Sequence, residues 1–134
     1  MIFFDTNVLI YSLVLQDESK QIISDRLIEN SIKNNLLTFS PLVLSELLYV
    51  LAKLKIDDRL VVNAISLYKP FIKHSIEPTF VLDAFELCRQ LGNGKNINDA
   101  IHLKYAEKYC SKIVTFDSDF KKFEDSTHLE IEIL

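Results

Sequence analysis

Apolar residues in this chain alternate between short unbroken runs and longer stretches with helical spacing. Ile2 to Phe4 read as a short, fully buried strand. Thr6 is placed to cap a helix running through Leu15. From Glu18 to about Asn34, the residues Ile22, Ile23, Leu27, Ile28 and Ile32 keep helical spacing with charges between them. LLTFS, 36–40, is a second strand. Ser40-Pro41 then starts a helix to about Leu54, because serine caps and proline is preset for the first turn. Asp57 or Asp58 caps the next helix, with Leu60, Val61, Ala64, Ile65 and Tyr68 as its stripe. Pro78-Thr79 opens another, carrying Phe80, Ala84, Phe85, Leu87, Cys88 and Leu91. GNGKN, 92–96, is the clearest loop. A helix from about Asn98 to Cys110 follows, then a strand Ile113 to Thr115. The acidic turn DSDF continues into a short helix, and a last strand covers Glu130 to Ile133.

Short apolar strands separated by long helices predict an α/β fold with a central, mostly parallel β-sheet flanked by helices. At 134 residues the expectation is a single domain, 1–134, with a sizeable core. The apolar fraction of 49% and charged fraction of 25% are ordinary for a globular protein. The net charge of −4 offers no general positive field for nucleic acid, although bound divalent metal would reverse the local sign. Cys88 and Cys110, each on an apolar stretch, read as buried thiols of a reducing compartment. MIFFDTNVLIYSLVL is apolar, but it lacks a basic leader, and Asp5 and Asn7 interrupt it well short of a span. It reads as a buried strand and helix of a cytoplasmic protein, with no membrane partner.

Within this pattern several acids keep apolar company. Asp5 directly follows the first strand, Glu46 lies in VLSELL, Asp99 in INDAIH, and Asp117 and Asp119 in IVTFDSDF. An ionised carboxylate near a core is costly unless paired or bound to a cation. Taken singly, Asp5 and Asp99 also suit helix starts, and Asp117 and Asp119 suit a turn. Glu46 is harder to explain by capping, since it sits more than a turn inside its helix; a solvent stripe shared with Lys53 is the ordinary alternative. Ligands of parallel sheets gather at the carboxyl ends of the strands, and all four positions can reach one such edge. Carboxylates brought together there would repel each other without a counter-ion. Hard oxygen donors suit Mg²⁺ or Mn²⁺, and no His/Cys spacing suggests zinc. His102 is the one histidine near this set, with at most a supporting role.

The chain has no glycine-rich phosphate loop and no GxSxG elbow. The DSD of TFDSDF resembles an aspartyl-phosphate phosphatase start, but only fifteen residues follow Asp119.

FFDTNVLI, SPLVLSELL, NDAIHLKYAEKY and IVTFDSDF, in that order, resemble a PIN domain, and especially the stand-alone VapC-type toxins. The resemblance covers nearly the whole chain. It implies a parallel-sheet α/β fold and a Mg²⁺- or Mn²⁺-dependent ribonuclease that leaves a 5′-phosphate and a 3′-hydroxyl. The family's acidic quartet maps onto Asp5, Glu46, Asp99 and Asp117, with Asp119 a possible fifth. Asp5, Asp99 and Asp117 would hold metal, with Glu46 directly or through water. Thr6, Asn7 and Thr115 fall where the family has small polar residues that steady the acids or the substrate. The departure is Asn98-Asp99 followed by His102, where many relatives are more apolar.

The resemblance also implies an RNA substrate, a cognate antitoxin and a homodimer. Lys53, Lys55 and Arg59, around the turn between two middle helices, and Lys95 in GNGKN are the candidate phosphate contacts, with solvated turn charges as the alternative for each. The apolar residues Leu9, Tyr11, Leu13, Leu15 and Ile22 to Ile32 exceed one core, so some are expected at an interface. Two other functions fit the same residues: a PIN-type nuclease of RNA maturation without an antitoxin, and a non-catalytic module whose acids bind metal structurally or pair with a partner's arginines.

Overall fold

The computed structural model describes residues 1–92 and 96–134. Along the chain run β1 (Ile2–Phe4), α1 (Thr6–Leu13), α2 (Glu18–Lys33), β2 (Leu37–Thr38), α3 (Pro41–Lys53) and α4 (Asp58–Tyr68). After a 3-10 turn at Lys69–Phe71 come α5 (Pro78–Gln90), α6 (Ile97–Tyr109) and β3 (Lys112–Thr115). A 3-10 segment, Ser118–Ser126, then leads to β4 (Glu130–Ile133).

Local chemistry accounts for the helix starts. Asp17 accepts from the Lys20 amide at 3.0 Å and Asp57 from the Arg59 amide at 2.8 Å. Ser40 accepts from the Val43 amide with Pro41 following it, so α3 opens as expected. Three boundaries differ from expectation. Helix α1 ends at Leu13 rather than Leu15, because Val14 turns extended and frees the chain to reach the Asp17 cap. Strand β2 is only Leu37–Thr38, since Ser40, preceding a proline, is already committed to the α3 cap. The helix after DSDF is a 3-10 segment nine residues long.

The sheet has the order β2-β1-β3-β4, and every described pairing is parallel. Phe3 and Phe4 of β1, Ile113 and Val114 of β3, and Leu103, Tyr105 and Ala106 of α6 lie in one buried cluster with Phe39, Leu47 and Tyr68. Burying side chains of this size drives folding at roughly 1.5–3 kcal/mol each. Helix α6 packs against α5, α3 and β3, and α1 against α2, α3 and β3. Leu60, Phe85 and Leu91, expected on core-facing stripes, are instead exposed, as are Leu15, Ile22 and Ile23. Leu9 and Ile28 go to the core. Both cysteines are unpaired, Cys88 buried and Cys110 half-buried. Among the described residues, no helix is long and apolar enough to cross a membrane.

Candidate functional site

The chain leaves β1 toward β2 on one side and later returns to β1's other side as β3. Such a reversal opens a crevice at the carboxyl ends of the two adjacent strands. Asp5 directly follows β1, and Asp117 follows β3 after one intervening residue. A cleft of about 560 Å³ lies there, and its polar lining includes Asp5, Thr6, Asn7, Glu46, Asn98, Asp99 and Asp117. Four sequence-distant acids are thus brought to one place.

Register explains the tightest part. Phe4 pairs with Val114, so the next step places Asp5 beside Thr115. The Thr115 hydroxyl donates to Asp5 Oδ2 at 2.7 Å and accepts from the Asp117 amide at 2.9 Å. Asn7 Nδ2 donates to the same Asp5 oxygen at 2.8 Å and to Thr115 Oγ1 at 3.0 Å, while its Oδ1 accepts from the Phe116 amide. Asp5 Oδ1 accepts from the Thr6 amide at 2.7 Å, so Asp5, rather than Thr6 as expected, is the cap of α1. Since a carboxylate has about four lone-pair sites, one on Oδ1 is left over. Burial raises the Asp5 carboxyl above its ordinary value, against the lowering influence of His102 and of the Thr115 and Thr6 hydrogen bonds.

Glu46 reaches the cleft from α3, half-buried rather than on a solvent stripe. Its Oε2 accepts from the Thr6 hydroxyl and lies 2.9 Å from His102 Nε2, while Oε1 accepts from Asn98 Nδ2 at 3.0 Å. Burial pushes Glu46 upward, but the His102, Thr6 and Asn98 hydrogen bonds and the charge of His102 outweigh it and leave the group below its ordinary value.

Asp99 stands in the first turn of α6 and accepts from Asn96 Nδ2 at 3.1 Å. Its carboxyl is pushed up to about 6, first by burial and then by the charges of Asp5 and Asp117, with His102 and Lys122 opposing. Asp117 Oδ1 accepts from the Asp119 amide at 2.8 Å, and its other oxygen has no described partner. Asp119 enters this network only through that amide; its side chain is exposed and absent from the cleft lining.

The basic candidates lie elsewhere. Lys53 is exposed at the end of α3, seven residues beyond Glu46 and so near the same helix face. Lys55 follows at a left-handed φ of 54°, and Arg59 lines a separate depression with Asp58, Val62 and Asn63. Lys95 lies outside the described residues.

Three further contributors are Asn96 and Asn98, to which the sequence assigns no role in the site, and His102, to which it assigns at most a supporting one. The last is wholly buried, and burial lowers its pKa less than the Glu46 hydrogen bond and the charges of Asp5, Glu46 and Asp99 raise it. The available signal was spacing, because His102 lies four residues after Asn98 and three after Asp99, within helical reach of both.

The donor set fits a hard divalent cation. Asp5, Asp99 and Asp117 each keep an oxygen lone pair without a described donor, and the Asp99 carboxyl, raised first by burial and then by the charges of Asp5 and Asp117, is one whose ionised form a cation would favour. Donor atoms of Asp5, Glu46 and His102 also lie within 4.8 Å of one another.

A parallel sheet that gathers distant carboxylates in a crevice at its switch point defines the class: an α/β domain with an acidic surface site. This chain belongs to the PIN domain family, whose profile matches residues 2–125. No curated protein sequence matches it significantly. Solved structures share the fold. VapBC2 from Rickettsia felis, bound to a DNA fragment from its promoter, is 22% identical with a TM-score of 0.72, covering 100% of this chain and 99% of that one. VapC20 from Mycobacterium tuberculosis, a sarcin-ricin loop cleaving toxin, is 21% identical with a TM-score of 0.75, covering 92% and 95%. FitAcB from Neisseria gonorrhoeae is 17% identical with a TM-score of 0.67, covering 98% and 96%.

Proposed function

We propose that this PIN domain is a divalent-metal-dependent endoribonuclease and the toxin of a toxin–antitoxin pair acting in the cytoplasm. The observation that carries this reading is the convergence of Asp5, Glu46, Asp99 and Asp117 on one cleft, with Asp99 held at about 6 by burial and its acidic neighbours.

Asp5, Asp99 and Asp117 would hold Mg²⁺ or Mn²⁺, which supplies a water of lowered pKa and stabilises charge on the phosphoryl oxygens. Thr115 and Asn7 fix the angle of Asp5, and the Asp119 amide fixes that of Asp117. Glu46, held below its ordinary pKa and with one Oε1 lone pair unfilled, would offer that lone pair to the metal directly or through a bound water, which it would orient toward the phosphorus. Hydrolysis then leaves a 5′-phosphate and a 3′-hydroxyl. Lys53, on the Glu46 face of α3, is the best-placed contact for a flanking phosphate.

The likeness to VapBC2 and to FitAcB supports an antitoxin partner. An apolar groove of about 150 Å³ between α1, α3 and α4, lined by Leu13, Leu51, Ile56, Leu60 and Leu67, is where its apolar segment would lie. A homodimer belongs to the same reading, with the exposed α5 stripe of Val81, Leu82 and Phe85 as its face. The function is tested by sequencing RNA ends after incubation with Mn²⁺. Wild type produces new 5′-phosphate ends and Asp99→Asn does not; identical end profiles would refute it.

A further inference from the structure

We propose that His102 is a positioning residue for Glu46, and that its Nε2–H is what leaves Glu46 a single oxygen lone pair to offer to the metal site. This deepens the nuclease reading and rests on it.

The geometry is specific. A carboxylate only accepts, so whatever the charge of the imidazole, Nε2 carries the proton in the 2.9 Å contact with Glu46 Oε2. Thr6 donates to that same oxygen and Asn98 to the other. Oε2 is thereby filled, and only Oε1 keeps an unfilled site. Without His102, Oε2 regains a free lone pair and the carboxylate can rotate about its last torsion, which is a broad one.

Packing shows that the histidine is held for this bond. Its ring is wholly buried beside Phe3, with centroids 5.4 Å apart, on a helix whose buried residues also include Leu103, Tyr105 and Ala106. Its Nδ1 has no hydrogen-bond partner among the described residues. A buried unsatisfied polar atom is unfavourable, so a histidine serving only the core would be better replaced by leucine. The bond to Glu46, 56 residues away in sequence, is its one side-chain hydrogen bond among the described residues. The ring acts through Glu46 and not on the substrate.

The test compares His102→Leu, which deletes the donor, with His102→Gln, whose amide nitrogen reaches the Nε2 position. Mn²⁺ affinity is measured by electron paramagnetic resonance, alongside kcat and KM on RNA and the thermal midpoint. Deleting such a supporting bond is expected to cost about 10–100-fold in metal affinity or kcat, with KM and the thermal midpoint little changed. His102→Gln recovers most of the loss. In a Glu46→Gln background, His102→Leu has no further effect on Mn²⁺ affinity, because the two residues form one unit. If the leucine variant does not fold, His102→Met replaces it as the deletion.

Wild-type behaviour in His102→Leu, equal damage in His102→Gln, or additive losses in the Glu46→Gln background each overturn the proposal. A wild type that binds Mn²⁺ with the expected coupling but cleaves no RNA overturns the nuclease reading and leaves the His102 role standing. A wild type that binds no Mn²⁺ overturns both.

Discussion

Thr115 donates its hydroxyl proton to Asp5 across 2.7 Å, although 110 residues separate them. The parallel register of β1 and β3 makes the pair adjacent, and the hydroxyl also accepts from Asn7 and from the Asp117 amide. One buried oxygen therefore ties two acids to the sheet. Thr115→Val keeps the shape but leaves the Asp117 amide without this acceptor. The expected cost is about 1–3 kcal/mol, read as a lower urea midpoint, with cleavage reduced in parallel. Thr115→Ser retains both; a valine variant with wild-type stability and rate would remove the hydroxyl from the account.

The sign of the pH dependence follows from Asp99. Its folded-state pKa of about 6 lies above the ordinary 3.8, so between these values the folded chain keeps a proton that the unfolded chain has lost. This contribution to the stability of metal-free protein falls as pH rises through that window and is absent above it. Asp99→Asn is expected to raise the thermal midpoint of metal-free protein at pH 7–8 and to flatten its decline from acid pH, while cleavage is lost. Added Mn²⁺ should raise the wild-type midpoint more than that of the variant. A variant less stable than wild type at pH 8 without metal would contradict the view that burial and neighbouring acids disfavour the ionised Asp99.

Asp5 sits at the centre of the network and lines the cleft with one lone pair unfilled. Asp5→Asn replaces an acceptor with an amide that must turn its NH₂ toward an existing donor. Cleavage of an RNA pool is expected to drop by at least about 100-fold, the scale for losing one organised electrostatic contact at a reacting centre. Residual cleavage near the wild-type rate would place the chemistry elsewhere.

Lys53 and Arg59 make opposite predictions. Lys53 follows Glu46 by two helical turns, whereas Arg59 lines a different depression. The rate should fall with added salt, and Lys53→Ala should flatten the log–log slope by about 0.7 for one single-strand phosphate contact. Arg59→Ala should leave the slope as it is. Equal slopes for wild type and Lys53→Ala would exclude that contact.

Leu82 and Phe85 are 67% and 56% exposed one turn apart on α5, an arrangement that suits a second copy better than water. Substituting both by Glu should convert a dimer to a monomer in light scattering without lowering the thermal midpoint, because neither residue is in the core. A dimer that persists would move the interface to another face.

What the sequence determined by itself was local. Ser40-Pro41, Asp57 and Pro78 mark helix starts through chemistry within a few residues, and the apolar runs at Ile2–Phe4 and Ile113–Thr115 mark buried strands. The awkwardness of Glu46, too far inside α3 to cap it and too acidic for its neighbours, was equally visible. Tertiary structure alone decided the partners. Helical periodicity states which residues share a face but not which element that face meets, so Leu60 and Phe85 could be grouped with buried residues and yet lie exposed. Nor does it say whether a carboxylate arrives alone: Glu46 meets His102, Thr6 and Asn98 only because α3, α1 and α6 converge over the end of the sheet. Hydrogen bonds between distant segments depend on register and packing to within an ångström, and no spacing along the polymer carries that information.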